Sequence, residues 1–301
     1  MTHPTPIPHI DRVAVVGATH GNEITGATLV ERWLEDPTEV TRPEFETLLL
    51  LANTAARGAG KRYLVRDLNR SFQPEDLANP ALNTGENARA KEIAALLGPR
   101  DNPAVRCILD LHTTTSNMGT TLITDASTGG LLLADEVRKR LPGARVYSIG
   151  RRDRSAGCLR AVAPLGLGIE VGPIPQGVLR HDVLDATRAA ANAALDVLAE
   201  WKRVGPPRTP TVEAYALEET VRLPLDERGR PAAVIHRDLE GGDWRELRPG
   251  DALFQRFDGQ VVCYDGPAGR CPIFVNEAAY YDNFLAFSLV RETTLATGQA
   301  E

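Results

Sequence analysis

The sequence lacks the features that mark several classes of protein. Its 301 residues include only four cysteines and no Cys-x-x-Cys pair, so a disulfide framework is not expected. No apolar run approaches the roughly 18 residues needed to cross a bilayer. The N-terminal stretch MTHPTPIPHIDR has neither the cationic nor the apolar segment of a secretory signal. We therefore expect reduced thiols, a cytoplasmic location and no membrane partner.

Basic charge is also scarce. Lys and Arg total 34 against 40 Asp and Glu, which gives a formal net charge of −6. Because a phosphate backbone is bound by an excess of cations, no nucleic-acid partner is expected. The hydrophobic fraction of 43% is enough to build a buried core and excludes a disordered chain. The length fits one large domain or a large domain with a smaller one.

Short apolar runs alternate with helical stretches from residue 12 to about residue 205. The runs are bounded by Gly, Pro or Asn, as is typical of buried strands, and they cover 13–16, 47–51, 107–111, 121–123 and 144–149. Helical periodicity covers 86–97, 131–141 and 179–204. This order predicts an α/β fold in which helices pack over a largely parallel or mixed sheet.

A proline-rich stretch, GPPRTP, interrupts this pattern at residues 205–210. Proline removes backbone donors and forces an extended conformation on the residue before it, so we place a domain boundary here. Beyond it, short apolar runs alternate with turn signals such as Pro249-Gly250 and Asp258-Gly259. The sequence therefore predicts an α/β domain over residues 1–205 and a small β-rich domain over residues 206–301.

The first predicted strand runs into GATHGNEITG, which places His20 and Glu23 three residues apart. In a helical turn, such a pair projects to one side and can bind one cation. Structural or solvated roles remain open, because His-x-x-Glu is common by chance. The overlapping spacing of Gly21 and Gly26 is that of a phosphate loop, but Ala27 stands where that loop needs lysine. Nucleotide binding is therefore the weaker alternative.

Another predicted strand ends in LDLHTTTSN and delivers His112 at its terminus. Two histidines and one glutamate form a catalytic type of zinc site, because three protein ligands leave the fourth position to water. Asp110 lies two residues before His112 and is suited to orient its imidazole. The structural alternative is a capped loop histidine next to a turn aspartate.

A charged residue interrupts a third apolar run, LGIEVGP. Burying Glu170 there is costly unless the carboxylate is paired or functional. The functional interpretation is a general base that takes a proton from water activated by zinc. An ion pair with an arginine is the structural alternative.

The segment RYLVRDLNRSF, at residues 62–72, clusters Arg and Asn side chains. Their planar donors match the geometry of a carboxylate, so the segment is a candidate for binding an acidic substrate. A solvated or salt-bridged loop is the alternative.

Together these segments resemble the aspartoacylase family, zinc-dependent amidohydrolases related in fold to carboxypeptidase A and to succinylglutamate desuccinylase. The matching stretches are GATHGNEITG, KRYLVRDLNRSF, LDLHTTTSNMG, GLGIEVGPIPQGVLR, LRPGDALF and FVNEAAYY. The resemblance implies a zinc-carboxypeptidase-like mixed sheet flanked by helices, in which residues 1–205 are catalytic and residues 206–301 cap the cleft. Dimers are common in the family, so a homodimer is one expectation.

The resemblance also implies the catalytic roles. His20, Glu23 and His112 would bind one Zn²⁺ per subunit. Glu170 would act as the base and later donate the proton to the leaving amine. Arg62 would polarise the acyl carbonyl and stabilise its oxyanion.

The implied substrate is N-acetyl-L-aspartate, hydrolysed to acetate and L-aspartate. Asn69, Arg70 and Tyr280 would bind its α-carboxylate, and Arg160 would bind its side-chain carboxylate. Related aspartoacylases carry a tyrosine four residues before this arginine, where the present sequence has Ala156. A deacylase for an N-acetylated aromatic or neutral amino acid, or for N-succinylglutamate, therefore remains an alternative. A non-catalytic zinc protein with a structural Glu170 is the alternative from another class.

Overall fold

The computed structural model describes residues 9–98, 102–150 and 157–298, and in these ranges it has twelve strands and six α-helices. The strands are β1 (Arg12–Gly17), β2 (Glu46–Leu51), β3 (Cys107–Thr113), β4 (Gly119–Thr124), β5 (Arg145–Ser148), β6 (Leu165–Gly172), β7 (Thr211–Arg222), β8 (Ala233–Ile235), β9 (Ala252–Arg256), β10 (Val261–Cys263), β11 (Arg270–Ile273) and β12 (Leu285–Ala296). The helices are α1 (Ile24–Glu35), α2 (Thr54–Gly58), α3 (Pro74–Ala78), α4 (Gly85–Leu97), α5 (Thr128–Arg140) and α6 (His181–Val204).

Nine strands form one mixed sheet in the order β11-β12-β7-β5-β4-β6-β3-β1-β2. The neighbours β2, β1, β3 and β6 are parallel, whereas β4 runs antiparallel to β6. The carboxyl ends of β1, β3 and β6 therefore meet at the same edge of the sheet, which is where α/β proteins place their ligand sites. The predicted mixed sheet flanked by helices is confirmed.

Alternating side chains of the central strands supply two cores, one on each face of the sheet. Val13 and Val15 of β1 point into a core shared with α1, α5 and α6. Ala14 and Val16 point to the opposite face, where Ile93 of α4 packs. Each fully buried aliphatic side chain contributes about 1.5–3 kcal/mol, so the strands that carry the site are rigidly held.

The segment after residue 205 is β-rich, as predicted, but its strands divide between two sheets. β8, β9 and β10 form a separate antiparallel sheet, while β7, β12 and β11 extend the main sheet. The junction is the parallel pairing of β5 with β7, in which Tyr147 lies opposite Tyr215. The boundary between residues 205 and 206 stays a prediction, since one sheet runs through both segments.

The three predicted helices are present as α4, α5 and α6, and they differ from the predicted bounds by a few residues. All four cysteines are free thiols, as expected. Among residues 9–98, 102–150 and 157–298, we find no helix with the length and apolar character that a bilayer span needs.

Candidate active site

His20 and Glu23 lie on the loop between β1 and α1, because the helix begins only at Ile24. Gly21 in this loop and Gly26 in the first turn of α1 allow close packing against neighbouring segments. A Cβ atom on Gly21 would lie 2.3 Å from the carbonyl carbon of Ala56, and one on Gly26 would lie 2.7 Å from Cβ of Leu111. Close backbone packing therefore accounts for the glycine spacing that resembles a phosphate loop.

The structure brings the three predicted metal ligands together. Nδ1 of His20 lies 2.6 Å from Oε1 of Glu23, and Nδ1 of His112 lies 2.9 Å from Oε2 of the same carboxylate. The side chains come from the β1–α1 loop and from β3, and all three residues are at most 5% exposed. One candidate ligand atom from each lies within 4.8 Å of the others, which is close enough to bind one ion.

The far nitrogen of each imidazole faces an aspartate. Nε2 of His20 lies 3.1 Å from Asp67, and Nε2 of His112 makes a 2.9 Å ion-pair contact with Asp110. The hydroxyl of Thr19 donates to Asp110 over 2.6 Å. At His112 this acceptor favours a proton on Nε2 and leaves the Nδ1 lone pair for a metal. His112 therefore has the arrangement of a metal ligand that is held by a carboxylate partner.

The charges of this cluster also fit a bound cation. Burial alone would raise the pKa of Glu23, but the imidazoles of His20 and His112 hold it well below its ordinary value. Burial would lower the pKa of His112, yet Asp110 and Glu23 raise it well above its ordinary value. The buried carboxylates thus stabilise positive charge between them. Two imidazoles and one carboxylate are a donor set typical of catalytic zinc.

Arg62 lies next to the metal-binding cluster. Its Nη1 donates to Glu23 over 2.9 Å, and its Nη2 lies 2.9 Å from Nε2 of His20 and 3.4 Å from Asp67. Burial would lower the pKa of Arg62, but Glu23 and Asp67 outweigh this effect and raise it. The guanidinium therefore stays charged at the edge of the cavity, where it can stabilise a developing oxyanion.

Glu170 lies on β6 directly opposite His112 of β3. Burial, reinforced by the charges of Glu23 and Glu277, raises the pKa of Glu170 to about 8, against the opposing effects of His112 and Arg62. Within the described residues its carboxylate makes no hydrogen bond and no ion pair, so the structure does not show the arginine pair considered as its structural alternative. A carboxyl group that titrates near neutral pH suits a proton carrier.

A cavity of about 340 Å³ opens between Glu170 and the predicted substrate-binding residues. Oδ1 of Asn69 accepts a hydrogen bond from the backbone N–H of Leu159 over 2.9 Å, so Nδ2 of the same side chain points away from Leu159. Arg70 donates to the carbonyl of Asn69 over 2.8 Å. Burial raises the pKa of Tyr280 to about 12, so its phenol remains a neutral donor. All of the predicted substrate-binding residues line this cavity.

Arg160 lines the same cavity and is only 8% exposed. Among the described residues its guanidinium has no hydrogen bond and no ion pair. The strand beneath it carries glycines: a Cβ on Gly166 would lie 2.4 Å from the carbonyl oxygen of Arg160, and one on Gly168 would lie 3.9 Å from its Cδ. β6 therefore gives Arg160 the room to lie along the sheet.

Part of the cavity lining is an apolar wall. It is formed by side chains of β4, β7 and the segments after β5 and β11, namely Ile123, Ile149, Leu217 and Phe274. Sequence analysis did not identify this wall, because these residues lie far apart in the chain and look like ordinary core positions. Ala156, the departure from the family pattern, lies outside the described residues.

Sequence analysis also assigned no role to Asp67 and Glu277. The carboxylate of Glu277 accepts from the N–H of Thr115 over 2.8 Å and from the hydroxyl of Thr114, and its other oxygen accepts from the N–H of Ala279 over 3.1 Å. It thereby ties the turn that carries Tyr280 to the loop after His112. The signal was present, since both acidic residues lie inside quoted motifs, but their partners are distant in sequence.

Two family models match the chain. The succinylglutamate desuccinylase/aspartoacylase catalytic domain matches residues 9–198, and the AstE/AspA barrel-sandwich hybrid domain matches residues 210–292. A probable aspartoacylase of Nostoc sp. is 41% identical and covers 92% of this chain and 95% of its own. The human N-acyl-aromatic-L-amino acid amidohydrolase (carboxylate-forming) is 38% identical and covers 94% of this chain and 91% of its own.

A solved structure agrees with these similarities. The crystal structure of murine aminoacylase 3 has a TM-score of 0.88 and 35% identity, and the match covers 98% of both chains. The similarity therefore extends over the main sheet and the β-rich segment alike.

Proposed function

The chain belongs to the succinylglutamate desuccinylase/aspartoacylase family and is an amide-hydrolysing deacylase, and from this premise we propose that it hydrolyses N-acetyl-L-aspartate with one Zn²⁺ per subunit. The observation that carries the proposed substrate is Arg160. A buried guanidinium without a counter-charge among the described residues is costly unless a ligand supplies one. The side-chain carboxylate of aspartate is such a ligand.

In this mechanism His20, Glu23 and His112 would hold the metal, and when bound it would supply Lewis acidity to water and to the acyl carbonyl. Glu170 takes a proton from the attacking water and later delivers it to the amide nitrogen, so that the C–N bond breaks with a neutral amine as leaving group. The guanidinium of Arg62 stabilises the negative charge that develops on the acyl oxygen.

The remaining residues position the substrate. Asn69, Arg70 and Tyr280 bind the α-carboxylate, and Arg160 binds the side-chain carboxylate. The cationic donors of this cavity suit a dianion despite the negative net charge of the chain. The turn with Tyr280 comes from residues 206–301, which supports our proposal that this segment caps a catalytic segment of residues 1–205.

The apolar wall favours a second candidate, an N-acetylated aromatic amino acid. Ile123, Leu217 and Phe274 can pack against a large ring, and the human relative named above acts on N-acyl-aromatic amino acids. The two candidates share the metal, Glu170 and the α-carboxylate residues. They differ in whether the side chain of the substrate lies on Arg160 or on the apolar wall.

The deciding experiment measures acetate or succinate release from zinc-loaded protein. The substrates are N-acetyl-L-aspartate, N-acetyl-L-glutamate, N-acetyl-L-phenylalanine and N-succinyl-L-glutamate, each with and without a chelator. We expect chelator-sensitive turnover with the highest kcat/KM on N-acetyl-L-aspartate. A preference for N-acetyl-L-phenylalanine would favour the second candidate, and turnover that survives complete metal removal would contradict the mechanism.

Two further expectations stay proposals, namely a homodimer, which follows from the family, and a cytoplasmic location, which follows from the sequence. Light scattering of the purified protein tests the first, and cell fractionation tests the second.

A further inference from the structure

The loop that carries Arg62 and Asp67 has no regular secondary structure. The apolar side chains at its centre do not anchor it, because Leu64 is 48% exposed and Val65 is 78% exposed. Bonds at its flanks include those from the N–H of Gly21 to the carbonyl of Arg62 over 3.0 Å, from Tyr63 to Asp282 over 2.5 Å and from Arg66 to Asp76 over 2.7 Å. The backbone at the centre of the loop must therefore be held by another group.

That group is the carboxylate of Glu86, in the first turn of α4. Its Oε1 accepts from the N–H of Leu64 over 2.6 Å, and its Oε2 accepts from the N–H groups of Val65 and Arg66 over 3.1 and 3.2 Å. Three consecutive backbone donors thus converge on one side chain that is 3% exposed. A carboxylate with several N–H donors forms strong, charge-assisted hydrogen bonds.

The same carboxylate is tied to the catalytic edge of the sheet. The side-chain amide of Asn53 lies 3.4 Å from Oε1 of Glu86, and the backbone N–H of Asn53 donates to the carbonyl of Ala18 over 2.8 Å. Ala18 lies two residues before His20. Burial would raise the pKa of Glu86, but the N–H groups of Leu64 and Arg66 outweigh it and hold the pKa below its ordinary value. Glu86 is therefore ionised at neutral pH.

We propose that Glu86 is a positioning residue that fixes the loop of residues 62–67 and thereby places the Arg62 guanidinium beside Glu23 and His20. Glu86 is not among the residues that line the cavity, so it acts only through the loop. The proposal rests on the proposed function for its effect on turnover, but the anchoring of the loop does not depend on which substrate is used.

The first test compares Glu86→Gln and Glu86→Ala with Glu92→Gln. Glu92 lies on the same helix, has a side chain that is 65% exposed and pairs with Arg89, so its variant is the matched control. Since misplacing a catalytic group by about 1 Å can cost about 100-fold, we expect kcat to fall about tenfold in Glu86→Gln and about 100-fold in Glu86→Ala. KM should change less than kcat, and Glu92→Gln should behave as wild type.

A double-mutant cycle separates positioning from general destabilisation. If Glu86 acts through Arg62, then adding Glu86→Gln to Arg62→Ala should lower kcat by less than about twofold, because the group it positions is already gone. Full additivity of the two losses would overturn the proposal, as would a Glu86→Gln variant with wild-type kcat and KM.

Hydrogen exchange tests the anchor without any substrate. The amides of Leu64, Val65 and Arg66 should be protected in the wild type and exchange at least about tenfold faster in Glu86→Gln, with the core of the sheet unchanged. Unprotected amides in the wild type would overturn the proposal even if the deacylase activity is as expected. Protected amides in a protein that releases no acid from any substrate would instead overturn the proposed function alone.

Discussion

The two ends of the cavity bury charge in different ways. At the metal-binding end, Glu23 faces His20, His112 and Arg62, and each of these groups has a partner of opposite charge within the protein. At the other end, the guanidinium of Arg160 has no hydrogen bond or ion pair among the described residues.

This difference indicates which group neutralises the buried charge at each end of the cavity. The candidate metal-binding cluster is pre-organised, because the protein supplies the donors and the aspartates that contact both histidines. The Arg160 end carries a charge that has no partner among the described residues, which lowers stability and is retained where a ligand uses the charge. The following four changes test this contrast.

Replacing the base should have the largest effect. Glu170→Ala removes the group that is proposed to move the proton but leaves His20, Glu23 and His112 intact, so we expect kcat to fall about 1,000-fold with metal content unchanged. Acetate release gives kcat, and elemental analysis of the same sample gives the metal content. A variant that keeps its metal and its full turnover would show that Glu170 is only structural.

Removing the uncompensated cation should have the next largest effect. Arg160→Leu should lower kcat/KM for N-acetyl-L-aspartate about 100-fold, because a buried carboxylate would lose its partner. Turnover of N-acetyl-L-phenylalanine should change less than about threefold. Arg70→Leu is the control, since Arg70 is proposed to bind the α-carboxylate common to both substrates and its loss should weaken turnover of both. An equal loss of kcat/KM on both substrates in Arg160→Leu would contradict the proposal that Arg160 binds the side-chain carboxylate.

Narrowing the cavity at Gly168 of β6 should have a smaller effect. In Gly168→Ala the new Cβ would lie 3.3 Å from Cβ of Ile123 and 3.9 Å from Cδ of Arg160. We expect about a tenfold loss of kcat/KM, mainly through KM, because a crowded side chain must shift by a few tenths of an ångström. Gly58→Ala is the matched control, since a Cβ there meets nothing within 4 Å. Unchanged kcat and KM in Gly168→Ala would show that the space at Gly168 does not affect substrate binding.

The smallest effect concerns stability rather than turnover. Burial raises the pKa of Asp243 to about 6 from its ordinary value of 3.8, against the N–H donors of Val275 and Asn117. Between pH 3.8 and about 6 the folded state therefore binds more protons than the unfolded state. The stability that comes from this extra proton is lost as the pH rises through that range. At about 1.4 kcal/mol per pKa unit, the loss is about 3 kcal/mol.

Denaturant unfolding at pH 4, 5, 6 and 7 measures this loss. The free energy of unfolding of the wild type should decline relative to that of Asp243→Asn as pH rises, because the amide cannot titrate. A difference between the two proteins that is the same at every pH would contradict the raised pKa.

Local patterns predicted much of the site. His112 and Glu170 were found because each is a polar residue in an apolar run at a strand end, and the ordered motifs supplied Arg62, Asn69 and Arg160. The helical spacing invoked for His20 and Glu23 was wrong in detail, since both precede α1 and meet through the loop. With Arg70 and Tyr280, these residues make nine assignments of ligand, catalytic and substrate-binding roles. All nine stay predictions until the variants are measured.

Contacts between distant segments could not be predicted. Asp67 contacts a histidine 47 residues away, and Glu277 bonds to threonines more than 160 residues away. Glu86 reads as an ordinary helix-start glutamate, since acidic residues are favoured there in any case. Only the packing of α4 against the loop of residues 62–67 reveals that its carboxylate is used.

The pairing of β5 with β7 has a consequence for how the chain can be divided. A fragment that ends at residue 205 would leave β5 as an unprotected edge and would lack both Glu277 and Tyr280. Exposed edges of this kind recruit other strands, so such a fragment should aggregate rather than fold as a smaller enzyme. The two segments are therefore expected to unfold in one cooperative transition and to be expressed together or not at all.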